Sequence, residues 1–253
     1  MLVPVVAWTG GWRSLSLADC GVMVLSGLVG IFIGDTALFA AMNRLGPRRT
    51  GVLFSLHAFF GTLLGFFLLD ERMGLQAYAG GALVMVGVMM AILFGRHKDE
   101  SHHWEADRGH WWAGIGLGLL AALCQAASTL IAKPVMAQGV DPVAATVVRV
   151  SATCVAQFLL LWSGFPAARA LHPPTLRIGA LVGFIGFLGM GLGMSLILMA
   201  LRHGDVGLVG ILSSVTPVLL LPLLWWRLGR APAMGAWVGA ATTVLGTALV
   251  LSR

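Results

Sequence analysis

Apolar residues in this chain come in long, nearly unbroken stretches. Eight of them, at 21–42, 51–69, 75–95, 111–132, 143–164, 176–201, 206–225 and 232–251, are close to the roughly 20 residues a helix needs to cross a bilayer. Polar residues collect in the links, where Pro, Gly, Arg and Asp punctuate the pattern. Inside lipid a backbone must satisfy its own polar groups, so stretches of this length read as helices. The longest polar interruption, RHKDESHHWEADRGH at Arg96–His110, holds seven of the 26 charged residues. The pattern therefore predicts an all-α, polytopic transmembrane helix bundle of about eight spans. It divides into residues 1–95 with three spans, a charged connector at 96–110, and residues 111–253 with five.

Composition narrows the class further. The chain is 58% hydrophobic and 10% charged, with a mean hydropathy of +0.91. A water-soluble exterior needs more polar cover than that, which excludes a soluble enzyme, a disordered chain and a secreted disulfide scaffold. A multi-pass protein of the bacterial plasma (inner) membrane is expected, in contact with the lipid bilayer. The net charge of +6 belongs to loops. With one Tyr and scattered cations there is no surface for nucleic acid. Trp8, Trp12, Trp104, Trp111, Trp112, Trp162, Trp225, Trp226 and Trp237 flank span ends, as an interfacial belt would. Cys20, Cys124 and Cys154 read as small core residues, and no cleavable signal peptide is expected at the start.

Charge by face gives one orientation. Arg44, Arg48, Arg49, Arg96, Lys98, Arg108, Arg169, Arg177, Arg227 and Arg230 fall on one side. Arg13, Arg72, Lys133, Arg202 and Arg253 fall on the other. The positive-inside rule puts the first set in the cytoplasm.

Glycines four apart recur: Gly30/Gly34, Gly61/Gly65, Gly114/Gly118, Gly179/Gly183, Gly189/Gly193 and Gly235/Gly239. Such pairs let helices approach closely in lipid. The chain is also self-similar. LQAYAGGALVMVGV at Leu75–Val88 aligns without gaps on MGAWVGAATTVLGT at Met234–Thr247, an offset of 159. The same offset pairs Gly34 with Gly193, Thr36 with Ser195, Ser55 with Ser214 and His57 with Thr216. Five crossings separate equivalent spans. Five is odd, so the second copy is expected to run upside down, the plan of alternating-access transporters with a site near the midplane. The second copy has two extra leading spans. Either the plan is lopsided, or the start lies inside a longer reading frame.

Two segments carry a family resemblance: GDTALFAAMNRLGPRRTGVLFSLHAFFGTLLGFFLLDERMGLQAYAGGALVMVGV (Gly34–Val88) and ALRHGDVGLVGILSSVTPVLLLPLLWWRLGRAPAMGAWVGAATTVLG (Ala200–Gly246). They resemble the drug/metabolite transporter superfamily, specifically EamA-like transporters with two five-helix repeats. The resemblance implies an inverted repeat of EamA type, a truncated first repeat, a transport role, no enzymatic activity, no cofactor and both termini cytoplasmic, the reverse of the charge count. The family's acidic span end is present as Asp70-Glu71 but reads Gly229-Arg230 in the second copy.

Ionisable groups inside lipid are costly and need a reason. Three stand out. Asp35 lies about 10 Å from the C-terminal end of the first span, and His57 about 9 Å from the start of the second. Those ends share a face, so the two groups lie at similar depth. They either form a structural hydrogen bond, exchange a coupling proton, or leave a neutral buried Asp. Arg149 lies about 9 Å inside the opposite face; it either snorkels or pairs structurally, or it meets an anionic solute. Ser213, Ser214, Thr216 and Pro217, with the related Ser55, form a polar centre that either repairs a proline-interrupted helix or lines a site. His97, His102, His103 and His110, among Asp99, Glu100, Glu105 and Asp107, lack a rigid ligand spacing, so no metal is expected. The expected activity is secondary transport of a small metabolite, amino acid or drug-like solute by alternating access, with proton coupling and a homodimer as options. A non-transporting truncated remnant or half-assembly and an intramembrane enzyme are the alternatives.

Overall fold

A computed structural model describes residues 6, 10–94, 111–163, 175–228 and 233–252. The connector histidines and acids lie outside them. The described chain is helical: α1 (Leu17–Leu45), α2 (Pro47–Ser55), α3 (His57–Leu69), α4 (Leu75–Phe94), α5 (Trp111–Ala137), α6 (Pro142–Trp162), α7 (Leu176–His203), α8 (Val206–Ser213), α9 (Thr216–Leu228) and α10 (Met234–Leu251). Among the described residues, seven helical stretches are long and apolar enough to cross a membrane. The stretch 206–225, expected as a further span, is covered by α8 and α9, which a break at 214–215 splits.

Local sequence explains the boundaries. Ser16 and Asp19 form a reciprocal capping box, so α1 starts four residues before the apolar run. Asp141 caps α6 through the Ala144 N–H at 2.7 Å, with Pro142 in the first turn. α5 runs past Pro134 to Ala137, five residues beyond the expected end. α1 and α7 each contain a widened π-helical stretch, at Leu28–Asp35 and Phe187–Gly193.

The offset of 159 holds for the elements themselves. Helical stretches beginning at Leu17, Leu28, Pro47, His57 and Leu75 have counterparts beginning at Leu176, Phe187, Val206, Thr216 and Met234.

Contacts divide the chain into two compact units: residues 1–32 with 128–204, and residues 33–127 with 205–253. Each draws helices from the front and the back of the chain. In the first unit, the start of α1 packs on α6. Ser26 and Ser128 exchange bonds: each hydroxyl donates to the other's carbonyl, at 2.7 and 2.8 Å. A Cβ on Gly27 would lie 2.6 Å from the Arg149 carbonyl oxygen, so only glycine permits this approach. On α7 the equivalent position, Gly186, has nothing within 4 Å, and neither do Gly179, Gly183 and Gly189. The close packing expected of those pairs is absent among the described residues, because α7 has there no counterpart of the α6 surface that α1 meets.

The second unit is built on α4 against α10. A Cβ on Gly80 would lie 2.7 Å from the Gly246 carbonyl oxygen, and one on Gly246 would lie 2.7 Å from that of Gly80. Gly87 and Gly239 face each other in the same way, each 2.6 Å from the other's carbonyl oxygen. Gly80 matches Gly239, and Gly87 matches Gly246, by the 159 offset. Each glycine thus meets the partner of the other. That reciprocity is the signature of a two-fold relation, and it requires the equivalent helices α4 and α10 to run antiparallel. The repeat is inverted. Ala77, Val84, Val88, Ala91, Ala236 and Val250 complete the buried apolar seam. Outward-facing positions carry large apolar groups, such as Phe39 (60% exposed), Phe67 (70%) and Trp226 (83%), as lipid contact demands.

Candidate functional site

The breaks between α2 and α3, and between α8 and α9, fall at equivalent places: Leu56, and Ser214 with Val215. They are built alike. The Ser55 hydroxyl donates to the Val52 carbonyl at 2.7 Å, and the Ser214 hydroxyl to the Ile211 carbonyl at 2.7 Å. Thr216 donates to the Ser213 carbonyl at 3.0 Å. His57, its counterpart, bonds through Nδ1 to the Phe54 carbonyl at 2.9 Å. Pro217 enters as the second residue of α9, where a missing N–H leaves no donor wanting.

α3 and α8 pack antiparallel. A Cβ on Gly207 would lie 2.8 Å from the Thr62 Cα, and one on Gly210 would lie 3.3 Å from the Ala58 Cα. This register brings His57 to the end of α8. Its Nε2 lies 3.3 Å from the Ser213 hydroxyl, which itself lies 3.0 Å from the Gly210 carbonyl oxygen. The ring also packs on Phe54, with centroids 5.2 Å apart. The structure thus brings His57 to Ser213, while the hydroxyls of Ser55, Ser214 and Thr216 each bond a carbonyl beside their own helix break. It gives His57 the partner Ser213 rather than Asp35. Asp35 ends the π-helical stretch of α1 and is partly exposed.

Arg149 is fully buried, which overturns snorkelling: its guanidinium stays in the interior of the first unit. Nη2 donates to the Ser128 hydroxyl at 2.7 Å, and that hydroxyl donates on to the Ser26 carbonyl at 2.8 Å. A Cβ on Gly30 would lie 2.5 Å from the Ser128 Cβ, so glycine makes room for this chain of polar groups.

One acidic residue, Glu71, stood out in the sequence only as part of a span end. Asp70 adopts a left-handed backbone, φ 51°, and ends α3. The chain turns back over Gly65, where a Cβ would lie 2.5 Å from Glu71 Oε2. That oxygen accepts the Val206 N–H at 2.8 Å. Glu71 therefore caps α8 from a distance, its charge meeting the positive end of the helix dipole; Asp205 makes no side-chain cap there. In the second copy the matching cap has no target. The counterpart of Val206 is Pro47, which has no N–H to cap, and the counterpart of Glu71 is Arg230.

A cavity of about 510 Å³ lies between α3, α4 and α8, lined by Phe59, Thr62, Phe66, Tyr78, Met85 and Ile211 among others. It is almost wholly apolar, and none of the candidate residues lines it. Among the described residues no group of three or more His, Cys, Asp or Glu is placed to hold a metal ion.

The sequence profile of the EamA-like transporter family matches residues 1–93 and 112–252. GDP-fucose transporter 1 of Monosiga brevicollis is 36% identical over 112 residues, which is 42% of this chain and 29% of that protein. A protein of known crystal structure, 19% identical, superposes with a TM-score of 0.73 over 91% of this chain and 78% of its own. That last likeness is one of fold.

Proposed function

This chain belongs to the EamA-like transporter family, and we propose that it is a secondary carrier of a small metabolite, amino acid or drug-like solute, working by alternating access in a bacterial plasma membrane. One observation carries the reading: the reciprocal antiparallel crossing of α4 and α10. Two inverted copies give a protein two arrangements of comparable energy, one open to each side, related by exchanging the roles of the copies. The paired helix breaks support it, since interrupted helices near the midplane offer backbone carbonyls to a solute or ion. The family and the named relative point to transport rather than catalysis. The relative's name adds nucleotide sugars to the solutes worth testing.

The test is counterflow in liposomes holding the purified protein. Vesicles are loaded with an unlabelled solute and given a trace of the labelled one, across a panel of amino acids, cationic dyes and GDP-fucose. The account expects transient accumulation for at least one member. Folded protein that exchanges none of them, or that hydrolyses them instead, contradicts it.

A further inference from the structure

Resting on the carrier reading, we propose that His57 is the site at which this protein binds and releases a coupling proton, and that it does so through Ser213. The argument is a count of hydrogens. A carbonyl only accepts, so the 2.9 Å contact with Phe54 places a proton on His57 Nδ1. In the neutral ring Nε2 is then a lone pair, and the donor beside it is the Ser213 hydroxyl, 3.3 Å away. That hydroxyl has one hydrogen and a second acceptor, the Gly210 carbonyl at 3.0 Å. It cannot serve both.

A proton arriving at Nε2 resolves the conflict. The new N–H donates to the Ser213 oxygen, and the Ser213 hydrogen turns to Gly210. No other bond forms or breaks; deprotonation reverses both hydrogen bonds. Two helix ends meet at this ring. Phe54 and Ser213 are equivalent residues in the last turns of the two short helices α2 and α8. The Phe54 carbonyl accepts from the ring, and the Ser213 hydroxyl links the ring to the Gly210 carbonyl at the end of α8. Half-helix ends of this kind are where carriers hold coupling ions.

The second copy provides the contrast. Thr216 makes the same bond three residues back but cannot titrate, so only one of the two breaks carries a proton. Within the second unit, the ionisable groups on the elements packed around α2 and α3 are Asp35 and Arg44 on α1, Glu71 after α3, Tyr78 on α4, Cys124 on α5 and Asp205 ahead of α8. None of them hydrogen-bonds His57, and Arg44 is turned to the Ala40 carbonyl at 2.9 Å. Arg49, on α2, stacks on Trp111. Proton binding at His57 thus re-aims the hydroxyl at the joint of α8 and α9, which links protonation to the broken helix.

His57→Thr tests this while keeping the bond to Phe54 that Thr216 makes in the other copy. In liposomes, counterflow by the wild type without a gradient reads the carrier itself. Accumulation of the same solute under an imposed pH gradient reads the coupling. One proton per solute predicts about a tenfold accumulation ratio per pH unit, falling to about one in H57T. Counterflow without gradient-driven accumulation in the wild type, accumulation retained in H57T, or accumulation lost only in D35N overturns the proposal. Absence of counterflow in the wild type sinks the carrier reading instead. An independent readout needs no solute. In ¹⁵N-histidine-labelled protein, the resonance missing from H57T changes protonation state with pH, and its neutral form carries the proton on Nδ1. A ring fixed in one state, or neutral with the proton on Nε2, overturns the proposal.

Discussion

Replacing Gly87 with alanine is the sharpest probe of how the two copies meet. The added Cβ would sit against the Thr243 hydroxyl and 2.6 Å from both the Gly239 carbonyl oxygen and the Thr243 nitrogen. Two of these neighbours are backbone atoms and cannot turn away. Ordinary contact begins near 3.4 Å, so α4 and α10 must part by about 0.8 Å along a seam with little slack. Overpacking of this kind costs ~1–3 kcal/mol, against a gain of up to ~1 kcal/mol from the better helix propensity of alanine. The expected net loss is about 1–2 kcal/mol. Gly183→Ala is the control: nothing lies within 4 Å of its Cβ, so it keeps the propensity gain alone. Reversible unfolding by SDS in mixed micelles, followed by tryptophan fluorescence, reads both. Gly246→Ala, the inverted counterpart, should match Gly87→Ala, because its Cβ would lie 2.7 Å from the Gly80 carbonyl oxygen and the Val84 nitrogen. If Gly87→Ala and Gly183→Ala are equally stable, the reciprocal crossing is not what holds α4 to α10.

Three further outcomes follow by the same assay. Glu71→Gln removes the charge from the remote cap of α8 and costs ~1 kcal/mol; no change would mean that water caps Val206 equally well. Ser128→Ala leaves the buried Arg149 without its bridge to α1 and costs ~1–3 kcal/mol; an unchanged midpoint contradicts a structural role for that bond. Gly27→Ala destabilises while Gly186→Ala does not, since only the first would meet backbone; equal effects would refute the asymmetry seen between the two copies.

Most of the architecture was legible in the residues. Lipid imposes length and polarity so strictly that the spans declare themselves, and the 159 offset survives because the glycines at the crossing have no substitute. The crossing itself was not legible. Gly80 and Gly246 announce close approach without naming a partner. The site was legible in depth but not in direction. Rise per residue put Asp35 and His57 at one level, yet helix rotation and the antiparallel seating of α3 on α8 gave the imidazole to Ser213. Arg149 shows the same gap: its distance from the interface was readable, but not that α1 and α5 would close over it. Glu71 was hidden because its target, Val206, is 135 positions away and bears no polar side chain.

The central claim is that the second copy is inverted in the bilayer, and cysteine labelling from one side tests it most directly. Gly74 and Ala233 are equivalent by the offset and immediately precede α4 and α10. On a background with Cys20, Cys124 and Cys154 replaced by alanine, Gly74→Cys and Ala233→Cys are exposed to a membrane-impermeant maleimide in right-side-out and in everted vesicles. The account predicts that each labels in one preparation, and that the two label in opposite ones. Labelling of both from the same side would contradict it.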